Sequence, residues 1–302
     1  MTNANIRIEA LADCTMNQAV EAWNEGFSDY YVPMRITPAT FGSVKYGLED
    51  IQPEHSFIAF SGDRPAGFLL SAIRVDGGVK TAWNGGTAVV PEFRRLGAGK
   101  ALMAKALETY RKLGVEKAFL EAFVQNEKAI ALYRSFGYET FDTLTGFRVD
   151  GETEPVWDDI AYERHRYDIR HVTPRELSLL PFYPRHAAWQ TQWRSAKDGE
   201  AVVVVDQSTG DTAGYALYRR SFDAEGTHVS TSLLQCAAAP GGSDADQVLR
   251  AALRYVFSVR SESPSLKRMV FAAPSSQRGL VDLLENLGFS RNHQLVHMSC
   301  KP

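Results

Sequence analysis

The 302-residue sequence predicts an α/β fold built twice in tandem, each copy a mixed central sheet flanked by helices. Three observations carry the prediction. Short β-branched and aromatic runs alternate with amphipathic stretches of helical period, the pattern of α/β units. The order of those segments in the first half returns in the second. A constant offset of 151 positions lays "ALYRSFGY" (131–138) over "DLLENLGF" (282–289).

In the first half "IRIEA" reads as a strand and "MNQAVEAWNEGF" as a helix, with apolar residues three and four apart. "PATFGSVKYGLE" opens with proline, which suits the first turn of a second helix. "SFIAFSG" and "PAGFLLSAI" are strands joined by the turn "SGDRP", and "TAWNGGTAVV" is the next strand. "GKALMAKALETYRKLG" is an amphipathic helix that Gly114 stops. "KAFLEAFV" is a buried strand, "NEKAIALYRSFG" a helix and "YETFDTLTGFRV" the closing strand. In the second half "GEAVVVVD", "TAGYALYRR", "VSTSLLQCAAAP", "DADQVLRAALRYVFS", "KRMVFAAP", "QRGLVDLLENLGF" and "QLVHMSC" repeat that order. Between them, residues 150–163 read "DGETEPVWDDIAYE", six acids and no base, and form the expected linker. The expected domains are therefore 1–149 and 164–302.

The composition excludes several classes of protein. Hydrophobic residues make up 44% of the chain, enough for two cores, yet no apolar run reaches the ~18 residues of a membrane-spanning helix. The opening "MTNANIRIEALADC" lacks the basic-then-apolar layout of a secretory leader. Lys and Arg number 16 against 18 acids in residues 1–150 and 17 against 18 in the rest, so neither half is a nucleic-acid platform or a polybasic membrane anchor. Cys14, Cys236 and Cys300 are odd in number and far apart, which argues for a reducing, cytoplasmic setting without disulfides or zinc. His165, His171 and His186 lack metal-ligand spacing, so no metal is expected.

The chemistry concentrates in "VVPEFRRLGAGKAL" (89–102). Two glycines stand in the first turn of a helix, where each costs about 1 kcal/mol relative to alanine. What they provide is access. The first N–H groups of a helix have no intrahelical partner and lie at the positive end of its dipole, and glycine leaves no Cβ in an anion's way. Arg94 and Arg95 add charge and multiple donors. The spacing is neither that of a P-loop nor that of a full G-x-G-x-x-G.

With "VVP" before it, "KALMAKAL" after it and "LEAFVQNEKAIALYRSFGY" downstream, R-x-x-G-x-G resembles the acetyl-CoA signature of the GNAT acetyltransferases across roughly residues 6–149. The resemblance implies acetyl-CoA as co-substrate. Its pyrophosphate would be held by Arg94, Arg95, Gly97, Ala98, Gly99 and Lys100, with its pantetheine arm beside Val89 and Val90 where the strand splays from its neighbour. Asn126, which can also cap its helix, would contact the same molecule. Tyr133 stands where many family members place the tyrosine that protonates the coenzyme A thiolate, and a phenol of ordinary pKa about 10 is suited to that task. Glu121 matches the "LEV" segment in which the ribosomal-protein N-terminal acetyltransferases place their base, the alternative being the ordered waters through which many family members deprotonate the amine; either aids attack by about 10²–10⁴-fold. Asn84 is a candidate for orienting a water or the substrate.

The acceptor is expected to be a small-molecule or peptide amine, shaped by "FSDYYVPMRITPATF" (27–41) with Tyr30 and Tyr31 lining the groove. Direct attack needs no enzyme nucleophile. The competing reading is a non-catalytic acyl-CoA sensor, which would not need Tyr133 or Glu121. In the second half the offset sets Leu284, Gln277 and Ala272 opposite Tyr133, Asn126 and Glu121. "PGGSDADQVL" replaces the arginine motif with acids, so that repeat is expected to have lost the chemistry and to serve in packing or in shaping the acceptor cleft. "PFYPRHAAWQTQWRSAK", with His186, Trp189 and Trp193, is the candidate for that role.

Overall fold

The computed structural model describes residues 6–149, 155, 157, 166–242, 244–258 and 266–302. The acidic linker therefore lies outside the described residues apart from Pro155 and Trp157. The chain divides into two compact units, Met1–Phe141 with Val296–Pro302, and Asp142–Leu295. This differs from a cut at the linker. The closing strand of each half runs across a boundary between units, and the first unit takes its last strand segment from the end of the chain. Strand pairing depends on backbone geometry, not on nearness in sequence, and leaves no local signature.

In chain order the first unit contains β1 (Ile6–Ala10), α1 (Met16–Gly26), α2 (Pro38–Thr40), β2 (Phe57–Ser61), β3 (Arg64–Asp76), β4 (Val79–Val89), α3 (Ala98–Lys112), β5 (Lys117–Phe123) and α4 (Glu127–Arg134). Strand β6 (Glu139–Val149) then leads into the second unit. That unit continues with β7 (Tyr167–Val172), α5 (Pro174–Leu177), β8 (Glu200–Asp206), β9 (Thr212–Phe222), β10 (His228–Ala238), α6 (Ala245–Phe257), β11 (Lys267–Pro274), α7 (Arg278–Asn286) and β12 (Ser290–Cys300).

The first sheet runs β1-β2-β3-β4-β5, with the end of β12 on the far side of β5. Its first three pairings are antiparallel, and β4 meets β5 in parallel. Consecutive strand residues face opposite ways, which places a helical layer on each side. Phe68 stacks on Trp23 of α1 at 5.2 Å, while Leu69 joins the α3 side chains Leu102, Met103, Ala106 and Leu107. Helix α1 starts at a capping box between Thr15 and Gln18, a reciprocal pair that satisfies two otherwise orphaned N–H groups.

The second helix of the sequence reading takes a different form. After one α-turn at Pro38–Thr40 the backbone widens into a π-helix over Phe41–Leu48, closed by Glu49 N–H donating to the Val44 carbonyl at 2.9 Å. Gly42 and Gly47 weaken the α preference there. The widened turn buries Lys45, which pairs with Glu49 at 2.8 Å and lies 4.4 Å from the Trp23 ring.

The second unit repeats the plan, with β11-β10-β9-β8-β7 and β6 beside β11. Strand β7 went unread because it is a half-exposed edge with charged residues, and edge strands need no apolar alternation. The stretch around Trp189 forms turns about one short 3₁₀ segment, Trp189–Thr191, since Pro181 and Pro184 interrupt any helix. Among the described residues no helix is long and apolar enough to cross a membrane.

Candidate active site

The site is built where β4 and β5 part. They pair in register from Thr81 with Lys117 to Asn84 with Leu120, and no further. Just past Asn84, Gly85 is an extra residue in the β3–β4 ladder, a bulge that twists β4 away from its neighbour. Beyond this point the ends of both strands, Gly85–Val89 and Glu121–Phe123, border an open wedge.

At the far end of β4 the chain makes a turn and enters α3. Gly97 is the N-cap of that helix in the left-handed region (φ +89°), and it offers no side-chain cap. A Cβ built on it would meet nothing within 4 Å, so the space beside the start of α3 is open. A Cβ on Gly99 would make ordinary van der Waals contact with the Leu132 and Val89 side chains, so packing alone does not require the second glycine. Arg95 also holds a positive φ of 65°, and Arg95 and Lys100 are exposed beside the cradle. Ala98 is buried beneath it.

Arg94 is engaged within the protein. Its Nε donates to the Val89 carbonyl at 2.9 Å, and its two terminal nitrogens each reach an Asp29 oxygen at 2.6 Å. The Arg94 hydrogen bonds hold the Asp29 carboxyl below its ordinary pKa. Val90 is buried and anchors the turn, donating to the Ala66 carbonyl and accepting from Phe93 N–H, both at 2.9 Å.

Tyr133 projects from α4 and is 6% exposed. Burial pushes its phenol well above the ordinary value, nearby Tyr30 adds to this, and a hydrogen bond with Thr87 opposes it. Thr87 in turn donates to Asn84 Oδ1 at 2.9 Å, and that same oxygen accepts Gly86 N–H at 3.2 Å. Sequence reasoning singled out Asn84 and missed Thr87, the link between Asn84 and Tyr133. Asn126 caps α4 by accepting Ala129 N–H at 3.3 Å, and its side chain also bonds Tyr30.

Glu121 is the first β5 residue beyond the paired stretch. Its neighbours Leu120 and Ala122 face α3, so Glu121 lies on the opposite side, that of α1. Its Oε2 accepts the Trp83 indole N–H at 2.6 Å, and its Oε1 lies 3.4 Å from His297 Nε2. Neither Trp83 nor His297 was singled out in the sequence. Adjacency to Asn84 and the two-residue strand period were a signal for Trp83; nothing in "QLVHMSC" pointed to His297.

On the acceptor side, the Tyr30 and Tyr31 rings both pack on Phe123 (5.7 and 5.9 Å), and Tyr31 hydroxyl donates to the Gln125 carbonyl at 3.3 Å. Together with Asp29, they carry the loop after α1 from the Arg94 turn to the end of β5. Burial raises the pKa of all three thiols, Cys14 upward, Cys300 to about 11 and Cys236 to about 12. Each therefore stays protonated near neutral pH and is a poor nucleophile. Among the described residues no three His, Cys, Asp or Glu side chains gather as a metal site.

The second unit has the corresponding geometry without the corresponding groups. Strands β10 and β11 pair over Ser230–Leu233, and a bulge at Leu234 follows. Gln277 is the N-cap of α7, as Asn126 is of α4, while Ala272 and Leu284 are buried apolar residues. At the start of α6, Asp244 accepts Gln247 N–H and pairs with Arg166, which also reaches Asp206. A cavity of about 250 Å³ adjoins them, bordered also by Gly241, Gly242 and Asp211.

A parallel strand pair that stops pairing at Asn84 and Leu120 thus stands beside a helix whose N-cap is Gly97. Residues 16–138 match the model of the acetyltransferase (GNAT) family. It is similar to an N-alpha-acetyltransferase of Sulfurisphaera tokodaii, 35% identical over 66 residues, covering 22% of this chain and 40% of that protein. It is also similar to a thialysine N-epsilon-acetyltransferase of Caenorhabditis elegans, 32% identical over 106 residues, covering 32% of this chain and 63% of that protein. The chain thus spans less than two thirds of either relative. Over its whole length it shares the fold of a tandem GNAT protein from the clavulanic acid biosynthesis pathway, with TM-score 0.61, 18% identity and 98% of each chain covered.

Proposed function

We propose that the chain is an acetyl-CoA-dependent N-acetyltransferase, with co-substrate site and chemistry both in its first unit. The observation that carries this reading is the uncapped α3 N-terminus at Gly97 set at one end of the β4–β5 wedge, with Tyr133 buried beside it. These residues fit a pyrophosphate. The amides of Ala98, Gly99 and Lys100 would hold it, with Arg95 and Lys100 adding charge and Arg94 available once it leaves Asp29. Bound there, acetyl-CoA would supply a thioester to the wedge.

An ammonium acceptor loses two protons on the way to an amide. The departing sulfur takes up one, so each turnover releases one to solvent. Glu121 accepts the first, on the α1 side of the sheet where Tyr30 and Tyr31 shape the acceptor groove, and Asn84 orients the wedge wall through Thr87. The neutral nitrogen then attacks the thioester carbonyl directly, and Tyr133 serves the sulfur as general acid. Its raised pKa keeps the proton in place at every working pH. The same shift makes early transfer to a thiolate, ordinary pKa about 8.5, unfavourable, so Tyr133 first stabilises the sulfur by hydrogen bonding and yields its proton late.

The acceptor class is a primary amine of a peptide N-terminus or a small molecule. In chain order the catalytic domain is 1–149, and 164–302 is a repeat that has lost the chemistry. The test is a thiol-release assay with acetyl-CoA against N-terminal peptides and small amines, using Tyr133→Phe as control. Acceptor-dependent release that falls about 100-fold in the variant supports the reading. Acetyl-CoA binding with no release by any amine would favour the acyl-CoA sensor.

A further inference from the structure

The Glu121 carboxylate is held from two directions by side chains that the proposed reaction has not used. Trp83, paired with Phe119 across β4 and β5, donates its indole N–H to Oε2 at 2.6 Å. His297 arrives on the last strand of the chain, within the segment that belongs to the first unit, and sets Nε2 3.4 Å from Oε1. The imidazole is 2% exposed and wedged between Phe141, 4.3 Å between ring centres, and Phe119, at 5.9 Å. A buried imidazole fixed by two aromatic rings has little rotational freedom, so its approach to the carboxylate is built in.

We infer that His297 is a positioning residue for the Glu121 base. Trp83 hydrogen-bonds one carboxylate oxygen and His297, when its imidazole carries a second proton, forms an ion pair with the other, and together they fix the carboxylate and keep it ionised beside an apolar surface. A buried carboxylate without such partners is costly and tends to take up a proton. The inference rests on the acetyltransferase reading for its purpose but not for its test. The residue that completes the base therefore comes from the far end of the sequence, and removing the terminal strand disables a site some 175 residues away in the chain, from Glu121 to His297.

Other charges on this face are already committed or at a distance. From β5, Lys117 holds its ammonium over the Phe119 and Phe141 rings at 5.2 and 5.5 Å. From β6, Glu139 is exposed. On the α1 side Lys45 pairs with Glu49 and Arg74 with Asp50. On β12 itself the nearest titratable residues in sequence are Cys300, three positions on and in the cluster with the α3 side chains, and His293, four positions back.

The Trp83 indole N–H reports on Glu121 directly. The experiment follows its NMR resonance, assigned with Trp83→Phe, from pH 4 to 9 in the full chain without ligand. Wild type, Glu121→Gln, His297→Leu and His297→Gln are compared, with far-UV circular dichroism and acetyl-CoA binding as checks of folding. The expected result is a titration that Glu121→Gln abolishes. His297→Leu raises its midpoint by about one pH unit, and His297→Gln, which keeps an N–H donor, restores at least half of that shift. Equal midpoints in wild type and both His297 variants, or a titration that persists in Glu121→Gln, would overturn the inference. Loss of acetyl transfer is scored separately, so failure of the enzymatic reading stays distinguishable.

Discussion

Two helix N-termini, one in each unit, follow the same strand arrangement and carry different groups. At α3, Gly97 offers no side-chain cap and the space beside it is open, with Arg95 and Lys100 alongside. At α6, Asp244 caps the helix itself and Arg166 bridges it to Asp206. Both follow a parallel strand pair that ends at a bulge, so the wedge is a property of the fold. What differs is the sign of the charge at the mouth. A carboxylate placed where a pyrophosphate would sit satisfies the helix dipole and repels the ligand.

The largest effect should come from giving α3 the character of α6. Gly97→Glu adds an acid and forces a side chain into the left-handed region, and acetyl-CoA affinity should fall by about 100-fold or more, roughly 3 kcal/mol. Gly97→Asn, which tolerates that backbone, should bind within about tenfold of wild type. Calorimetric titration of both variants separates charge from strain.

Tyr133→Phe should cost about 100-fold in kcat while leaving acetyl-CoA Kd within about twofold, since the phenyl ring keeps the packing. Because burial raises the Tyr133 pKa, its proton stays on as pH rises. Activity should therefore show no descending limb from this residue up to pH 9.5, and steady-state profiles of kcat check it. Glu121→Gln should lower kcat/KM by about 10–100-fold, least with acceptors of low amine pKa.

Much of this was legible in the sequence. The order of strands and helices, the Gly97 turn, the Asn126 cap and the repeat all have local signatures: glycine, asparagine, apolar period. Tyr133 and Glu121 could be singled out because a motif fixed their register. The missing parts are contacts between segments distant in the chain. Asp29 reaching Arg94, Thr87 linking Asn84 to Tyr133, and His297 meeting Glu121 depend on how strands are laid side by side, and no spacing encodes them. The π-helix over Phe41–Leu48 escaped for another reason, since its apolar residues fit an α-helix equally well on paper.

Two smaller effects sharpen the comparison. Asp244→Ala removes a cap, so it should cost about 1 kcal/mol of stability and lower Tm by a few degrees, without creating a second acetyl-CoA site. Asp29→Asn frees Arg94 from its carboxylate, and acetyl-CoA should bind about threefold tighter at low salt. The gain should vanish in 0.5 M NaCl, as befits an exposed pair.

The most direct measurement is the stoichiometry of acetyl-CoA binding to the intact chain by isothermal titration. The account predicts one site per chain, abolished by Gly97→Glu and untouched by Asp244→Ala. Two equivalent sites, or a single site that survives Gly97→Glu, would contradict it.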